Sequence, residues 1–287
     1  MIPLSFGYTR PSTVDDAVRA LADAGEDAKV LAGGQSLVPV LRLRLAAPSV
    51  LVDLGGIAPL RGVREEGDEL VLGAMTRHAD VLHDPLVARY APLLAQATAL
   101  VADRQTRYLG TVGGSLSHAD PAGDLPAVAL ALDATMEAVG PDGARRIPAA
   151  DFFVDYLTTA LAPGEVLVAI RVPKRDGWGT RYEKFSRVAQ SWALVGVAAA
   201  VRRDNGGIAE ARVALTNMGS TPLRARAVEE ALTGVPASAD PLTAAAERAA
   251  EGTRPPTDVF ASAEYRTHLV TVLTRRALAA AGGVHAA

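Results

Sequence analysis

The chain has 287 residues, a formal net charge of −3 and a hydrophobic fraction of 49%. This length accommodates roughly two or three domains, and so much apolar material argues against intrinsic disorder. The slight acidic surplus is atypical of nucleic-acid-binding proteins, and the sequence has no cysteine for a disulfide or for an iron–sulfur cluster of its own.

The sequence lacks the usual signals for secretion and for membrane insertion. The amino terminus lacks the basic and long apolar regions of a signal peptide. The longest strongly apolar run, Ala193 to Val201, is too short to cross a bilayer. We therefore expect a soluble protein of the cytoplasm.

The first predicted unit, residues 1–57, alternates helices with strands. Thr13 is predicted to begin a helix, because the two acids that follow suit a first helical turn, and Gly25 is predicted to end it. Two short buried strands, 29–32 and 49–53, complete an α/β pattern.

A glycine pair, Gly33-Gly34, directly follows the first of these strands. The end of a strand is where α/β sheets commonly bind ligands, and glycine lets the backbone approach a ligand closely. A helix is predicted next, from Leu37 to Leu45, with Pro39 tolerated in its first turn. Taken alone, the glycine pair also fits a plain strand-to-helix connection.

The second predicted unit, residues 58–175, contains a glycine-rich stretch at 109–126. Ahead of this stretch we predict a strand over 69–72, a short helix capped by Thr76, and one long helix over 86–102. A segment so poor in predicted regular structure is either a binding loop or a place where elements have been misread.

The glycine-rich stretch holds the pair Gly113-Gly114 and ends beside Asp124. Consecutive free backbone N–H groups form a concave site for an anion, so two separated glycine turns suit a ligand with two linked phosphates. Asp124 is interpreted either as a helix N-cap or as an acceptor for a sugar-like hydroxyl. A metal site that adds His118 and Asp120 is disfavoured, because no second histidine cluster accompanies them.

Regular elements are also predicted for the rest of the chain. The second unit continues with a helix at 125–132 and strands at 136–139 and 165–172. The third unit, residues 176–287, starts within a linker at 174–179. Its predicted elements are the antiparallel strands 180–186, 194–203 and 208–215, the helices 222–232, 242–251 and 261–281, and a frayed end at 282–287.

Lys184 and the two tryptophans can each be explained by a structural role, without a ligand. Lys184 is interpreted as a solvated strand lysine, with a ligand contact as the alternative. Trp178 and Trp192 are interpreted as packing residues, although either would shield a flat ring. The sequence has no P-loop motif, no Gly-x-Gly-x-x-Gly after a predicted strand, and no Gly-x-Ser-x-Gly.

The two glycine stretches together resemble the FAD-binding segments of a known family. The run 32–37, followed by 41–45, resembles the first such segment in the medium (flavoprotein) subunit of molybdenum hydroxylases, the family of carbon monoxide dehydrogenase and xanthine dehydrogenase. Residues 111–115 with 120–126 resemble the second segment. Two further landmarks extend the similarity over nearly the whole chain: residues 72–76 and 262–266.

The resemblance implies an α+β fold with two α/β FAD-binding subdomains (PCMH-type), followed by a C-terminal domain of a small antiparallel sheet with helices. Backbone amides of the two glycine segments would bind the FAD pyrophosphate, and Asp124 would bond ribityl or ribose hydroxyls. Leu167 and Lys184 would lie against the flavin and its adenine side. The complete set of implied FAD contacts is Val30, Leu31, Ala32, Gly33, Gly34, Gln35, Ser36, Leu37, Thr111, Gly113, Gly114, Ser115, Asp124, Leu167 and Lys184.

The resemblance also implies partners. In the family, electrons pass from a molybdenum-cofactor large subunit through two iron–sulfur clusters on a [2Fe-2S] small subunit to FAD, and then to an acceptor. The missing cysteines fit this division of labour. One alternative is a stand-alone FAD oxidase or dehydrogenase acting on a small metabolite. Another is a flavin-free scaffold protein, which the intact glycine turns and Asp124 disfavour.

Three positions depart from the family pattern, two of them adjacent. Relatives often carry Arg-Asn-Arg-Gly-Thr before the second glycine pair, where this chain has Arg107-Tyr108-Leu109-Gly110-Thr111. Gln35 stands where some relatives have histidine. We expect these changes to affect the electronic tuning of the flavin rather than its binding.

Overall fold

The structure is a computed structural model that describes residues 1–284, so the end of the predicted frayed tail, residues 285–287, lies outside the described residues. Three sheets of three, five and four strands follow one another along the chain, and a two-stranded sheet is inserted in the second part. The three larger sheets lie within residues 7–53, 63–173 and 179–224.

The first sheet is parallel, with strand order β1-β3-β2. Its helix α1 begins as predicted, because the Thr13 hydroxyl accepts a hydrogen bond from the Asp16 amide at 3.1 Å. The helix after the glycine pair is shorter than predicted, since Arg44 adopts a left-handed φ of 59°. The elements are β1 (Gly7–Thr9), α1 (Val14–Ala24), β2 (Lys29–Leu31), α2 (Leu37–Arg42) and β3 (Val50–Asp53).

The second sheet is antiparallel, with strand order β4-β5-β10-β6-β7. Its strands are β4 (Val63–Glu66), β5 (Glu69–Gly73), β6 (Thr135–Gly140), β7 (Gly143–Pro148) and β10 (Val166–Pro173), with β8 (Phe153–Asp155) and β9 (Thr158–Thr159) forming the two-stranded sheet. The helices of this part are α3 (His78–His83), α4 (Pro85–Tyr90), α5 (Pro92–Ala99), α6 (Arg104–Leu109), α7 (Val112–His118), α8 (Asp124–Ala131) and α9 (Ala149–Phe152).

Two helix predictions in this part are wrong. The long helix predicted over 86–102 is broken at Ala91, because Pro92 has no N–H to donate and excludes the residue before it from helical geometry. Thr76 does not cap a helix. Its hydroxyl donates to the Gly62 carbonyl at 3.0 Å, and α3 begins two residues later.

The glycine-rich stretch is largely helical, so of the two explanations for its lack of predicted structure, an unrecognised regular element is the right one. Thr111 caps α7, its hydroxyl accepting from the Gly114 amide at 3.1 Å, and both glycines of the pair lie in the first turn of that helix. The apolar side chains of Val112 and Leu116 are buried and hold the helix in place. Tertiary burial thus outweighs the low helix propensity of glycine here.

The third sheet is the predicted antiparallel meander, and its register confirms the three predicted strands. The central turn is tight, with left-handed φ values at Asn205 and Gly206. The elements are β11 (Gly179–Phe185), β12 (Val195–Asp204), β13 (Gly207–Thr216), β14 (Leu223–Arg224), α10 (Arg226–Leu232), α11 (Ala239–Ala246) and α12 (Ala263–Ala281).

Strand β12 is apolar on both faces because it belongs to two cores. Ala198 and Ala200 pack in one core with the helices of the second part. Val197 and Val201 face the opposite way and pack in a core with α10, α11 and α12. The second and third parts therefore share buried surface. Among the described residues, no helix combines the length and apolar character needed to span a membrane.

Candidate functional site

A cavity of about 720 Å³ lies where the three parts of the chain meet. Its volume falls in the range of small-molecule and cofactor sites. All but one of the residues implied as FAD contacts line it, the exception being Leu31. Leu31 packs beneath the first glycine turn, 3.4 Å from where a Cβ on Gly34 would lie.

The two glycine turns meet at one side of this cavity. A Cβ placed on Gly33 would lie 2.4 Å from the Leu109 carbonyl oxygen and 2.6 Å from the Gly110 Cα. The backbone of the first turn therefore rests on the backbone that leads into the second. Only glycine permits this close approach.

The first turn presents a run of backbone donors to the cavity. Gly34 adopts a left-handed φ of 72°, and within residues 1–284 the amides of Gly34, Gln35 and Ser36 have no hydrogen-bond partner. The Gln35 side chain instead donates to the Gly33 carbonyl at 2.8 Å. Successive unpaired N–H groups around a left-handed residue form a concave anion site, which suits a diphosphate.

The amides of the second glycine pair are already paired within the protein. The resemblance implies phosphate-binding amides in this segment, but the Gly113 amide donates to the Ala74 carbonyl at 2.9 Å and the Gly114 amide to the Thr111 hydroxyl. Glycine is needed at 113 for packing, since a Cβ there would lie 2.6 Å from the Ala74 Cβ. This turn shapes the cavity wall, and the unpaired amides belong to the first turn.

Asp124 is buried in the wall and does not cap a helix, so the N-cap interpretation is wrong. Gly123 occupies the cap position of α8, and the Asp124 carboxylate accepts from the Tyr182 hydroxyl at 2.8 Å and from the Lys184 ammonium at 2.8 Å. Burial raises the pKa of Asp124, while its bonds to Lys184 and Tyr182 oppose that rise. The lone pairs that remain can accept a hydroxyl of a ligand.

Lys184 is not the solvated strand lysine that the sequence favoured. Its side chain is only 5% exposed, and its ammonium also donates to the Leu100 carbonyl at 3.0 Å. The lysine therefore ties the first strand of the third sheet to α8. Burial and the neighbouring carboxylate both raise the pKa of Tyr182 well above its usual value, so the phenol remains a donor.

Leu167 supplies an apolar part of the wall. It is buried on β10, at a β-bulge that shifts the register between Leu167 and Ala169. The bulge re-aims the side chain, as bulges near binding sites commonly do. Leu167 and Lys184 thus reach the same cavity from different sheets.

Sequence reasoning missed other residues of the wall. His78 is buried, its Nδ1 is enclosed without a hydrogen-bond partner, and burial together with the charge of Arg107 lowers the pKa of His78 to about 4. A loop between β11 and β12 contributes Gln190 and Ser191. A lone histidine and a polar loop carry no sequence signal that would have placed them here.

The two tryptophans have different environments. Trp192 also lines the cavity and is 56% exposed, so its interpretation as a packing residue is wrong. Trp178 is half-buried beneath the Arg175 guanidinium, 4.5 Å from the ring centre, as a packing residue would be. His118 and Asp120 line the cavity as well, but the described part of the chain has no group of three or more potential metal ligands.

Two family models account for most of the chain. The FAD binding domain in molybdopterin dehydrogenase matches residues 4–175, and the CO dehydrogenase flavoprotein C-terminal domain matches residues 180–281. The first match contains both glycine turns, Asp124 and Leu167. The second contains Lys184 and the loop with Trp192.

Known relatives are similar over their full length. The carbon monoxide dehydrogenase medium chain of Hydrogenophaga pseudoflava is 41% identical, with 98% of each chain covered. The 6-hydroxypseudooxynicotine dehydrogenase complex subunit alpha of Paenarthrobacter nicotinovorans is 39% identical, with 98% of this chain and 96% of that one covered.

A solved structure agrees with these relatives. A chain of carbon monoxide dehydrogenase from Hydrogenophaga pseudoflava, in a form lacking the Mo-pyranopterin moiety of the molybdenum cofactor, superposes with a TM-score of 0.96 at 43% identity, with 99% of each chain covered. The cavity, its amide-lined turn and its buried carboxylate fit the FAD that the family binds. Motifs, fold and full-length similarity agree, and the chain belongs to the FAD-binding medium subunits of the molybdenum hydroxylases.

Proposed function

We propose that this chain holds FAD in the cavity between its three parts and works within a molybdenum hydroxylase complex. In that complex, electrons pass from a molybdenum-cofactor large subunit through a [2Fe-2S] small subunit to FAD and on to an acceptor. Bound FAD supplies the redox chemistry, and the protein supplies binding, orientation and access. The observation that carries the proposal is the run of unpaired amides at Gly34, Gln35 and Ser36, facing a cavity of cofactor size.

The first glycine turn is proposed to hold the diphosphate. The lining of the cavity includes few cationic side chains, so amide dipoles would offset the phosphate charges. Ala32, Gly33 and Leu37 continue the same wall on either side of the free amides. Leu31 supports Gly34 from beneath rather than touching the ligand, and Val30 lines the cavity on the strand before it.

The rest of the wall is proposed to hold the sugar and ring portions. Asp124 would accept hydrogen bonds from ribityl or ribose hydroxyls, while Lys184 keeps the carboxylate in position. Leu167 would offer an apolar surface to a flat ring. The second glycine turn would close the site through the remaining contacts, which are Thr111, Gly113, Gly114 and Ser115.

The substrate is proposed to be chosen outside this chain. Relatives of nearly equal similarity serve a carbon monoxide dehydrogenase and a 6-hydroxypseudooxynicotine dehydrogenase, two activities on chemically unrelated substrates. A flavin subunit that receives electrons through partners need not contact the substrate.

We propose a cytoplasmic location for the assembly, because that compartment supplies FAD. Fractionation of cells would test the location.

We also propose that the three parts correspond to units 1–57, 58–175 and 176–287, the last including three residues outside the described range. Separate sheets support this division.

Isolation of the native complex tests the proposed function. We expect bound FAD at one per copy of this chain, together with molybdenum and iron on co-purifying chains. A flavin that is reduced by an organic substrate with no partner present would favour the stand-alone enzyme, and a protein indifferent to FAD would defeat both.

A further inference from the structure

His78 is a buried polar group in the cavity wall with an unmet hydrogen-bonding capacity. It is 4% exposed, and Nδ1 is fully enclosed without a partner. The ring lies against Gly110, where a Cβ would come within 2.9 Å of Cδ2 and 3.2 Å of Nε2. His78 and Gly110 both line the cavity. Nε2 is therefore the nitrogen on the side of the wall that carries the glycine turns.

The protonation of the ring follows from its surroundings. Burial and the nearby charge of Arg107 keep the imidazole neutral near pH 7, so one nitrogen carries hydrogen and the other a lone pair. Orphaned buried N–H groups are rarer in proteins than unpaired acceptors. The enclosed Nδ1 is accordingly assigned the lone pair, which leaves the hydrogen on Nε2.

The position of the His78 ring indicates which part of the ligand it could contact. Gly110 is the residue on which Gly33 rests, with 2.6 Å between its Cα and a Cβ placed on Gly33. The unpaired amides of Gly34, Gln35 and Ser36 directly follow Gly33 in the first turn. His78 thus lies at the junction of the two turns, on the part of the cavity wall that carries the proposed diphosphate site.

We propose that His78 contacts the cofactor, its Nε2–H donating a hydrogen bond to a diphosphate oxygen of FAD. The inference rests on the proposed function, since it requires FAD in this cavity. A neutral donor suits a site in which backbone amides, also neutral, already face the phosphates. The N–H of the buried ring would then be paired only when the dinucleotide is bound, while the lone pair of Nδ1 stays enclosed in the protein.

The test measures rebinding of FAD to the cofactor-depleted complex, followed by FAD fluorescence, with ADP as a competitor. His78→Phe keeps a flat ring against Gly110 and removes the donor. We expect it to weaken FAD and ADP binding by a similar factor of about 5–10, the scale of one neutral hydrogen bond. His78→Gln places an amide nitrogen near the Nε2 position and should retain affinity within about 3-fold. The exposed His83 on the same helix serves as a control, and His83→Phe should change neither constant.

The affinities of these variants decide whether His78 contacts the diphosphate. Unchanged FAD affinity in His78→Phe, or a loss for FAD without a loss for ADP, would overturn the proposed contact. If His78→Phe does not assemble, the comparison of His78→Gln with His78→Asn replaces it, because the shorter amide cannot reach the Nε2 position. Equal affinities of these two variants would then overturn the contact. A wild-type complex that does not rebind FAD would instead overturn the proposed function.

Discussion

At Gly34 the backbone takes a left-handed φ of 72° and its amide is unpaired, whereas Gly113 has its amide bonded to Ala74 and no room for a Cβ. The first glycine is needed for a backbone conformation and the second for close packing. The two glycine pairs look alike in the sequence. Their physical roles differ because their neighbours differ.

Gly34→Ala should therefore release FAD. The alanine would be strained at this φ, and its Cβ would lie 3.1 Å from Val38, so the free amides would be displaced from the cavity. We expect at least a tenfold loss of FAD affinity, measured by titration of the cofactor-depleted complex. Gly67→Ala is the matched control, with a left-handed φ of 58° in a hairpin and open space around it. It should lose about 1 kcal/mol of stability but no FAD affinity. Equal effects of the two variants would contradict the role of the first turn.

His78 also makes stability depend on pH. Its pKa is lowered from 6.5 to about 4 in the folded chain, so below pH 6.5 the unfolded chain binds a proton that the folded chain does not. Stability from this residue is thus full above pH 6.5 and is lost as the pH falls. We expect a loss of about 2 kcal/mol between pH 6.5 and about pH 5. Urea unfolding at several pH values measures it, and the same slope in His78→Phe would contradict the assignment.

At the scale of elements, α8 and β11 are joined by a buried polar network. Asp124 on the helix accepts from Tyr182 and Lys184, which are neighbours on the same face of the strand. A buried pair is costly to break, because the partner left behind keeps an uncompensated charge. This connection also holds the proposed hydroxyl acceptor at the cavity wall.

Removal of the two donors should have graded effects. Lys184→Met leaves Asp124 buried without its charged partner and should destabilise the protein by about 3–5 kcal/mol. Tyr182→Phe removes one hydrogen bond and should cost about 1–2 kcal/mol. Chemical unfolding measures both, and Lys174→Met, which removes a more exposed ion pair with Glu65, is the control and should cost less stability than either variant. A larger loss in Tyr182→Phe than in Lys184→Met would contradict this account.

At the scale of the whole molecule, the third part depends on the second. One face of its sheet, with Tyr182, Ala198, Ala200 and Ala214, belongs to the same core as the helices of the second part. Cutting the chain in the linker would expose this apolar face to water. The cavity would lose one wall at the same time.

Residues 176–287 expressed alone should therefore not form a stable monomer. We expect aggregation or a non-cooperative thermal transition, whereas the full chain should unfold cooperatively. Size-exclusion chromatography and circular dichroism distinguish these outcomes. A soluble monomeric fragment with a sharp transition would show that the shared core is dispensable for this part.

Much of the fold was predictable because its signals are local. Thr13 and Gly25 mark the ends of α1, and Asn205 and Gly206 form the turn of the β12–β13 hairpin. The long helix failed for a local reason that was present in the sequence, namely Pro92. The helix at the second glycine pair was not predictable from propensity, because burial of its apolar side chains decides it.

The sequence by itself determined the family and the α+β fold, and it located both glycine pairs, since these depend on motifs and on periodicity along the chain. Only the tertiary structure decided which amides are unpaired, that Lys184 is buried against Asp124, and that His78 lines the cavity. Each of these depends on contacts between residues far apart in the chain. Hydrogen-bond partners and burial at such positions arise from packing, and no pattern of neighbouring residues encodes them.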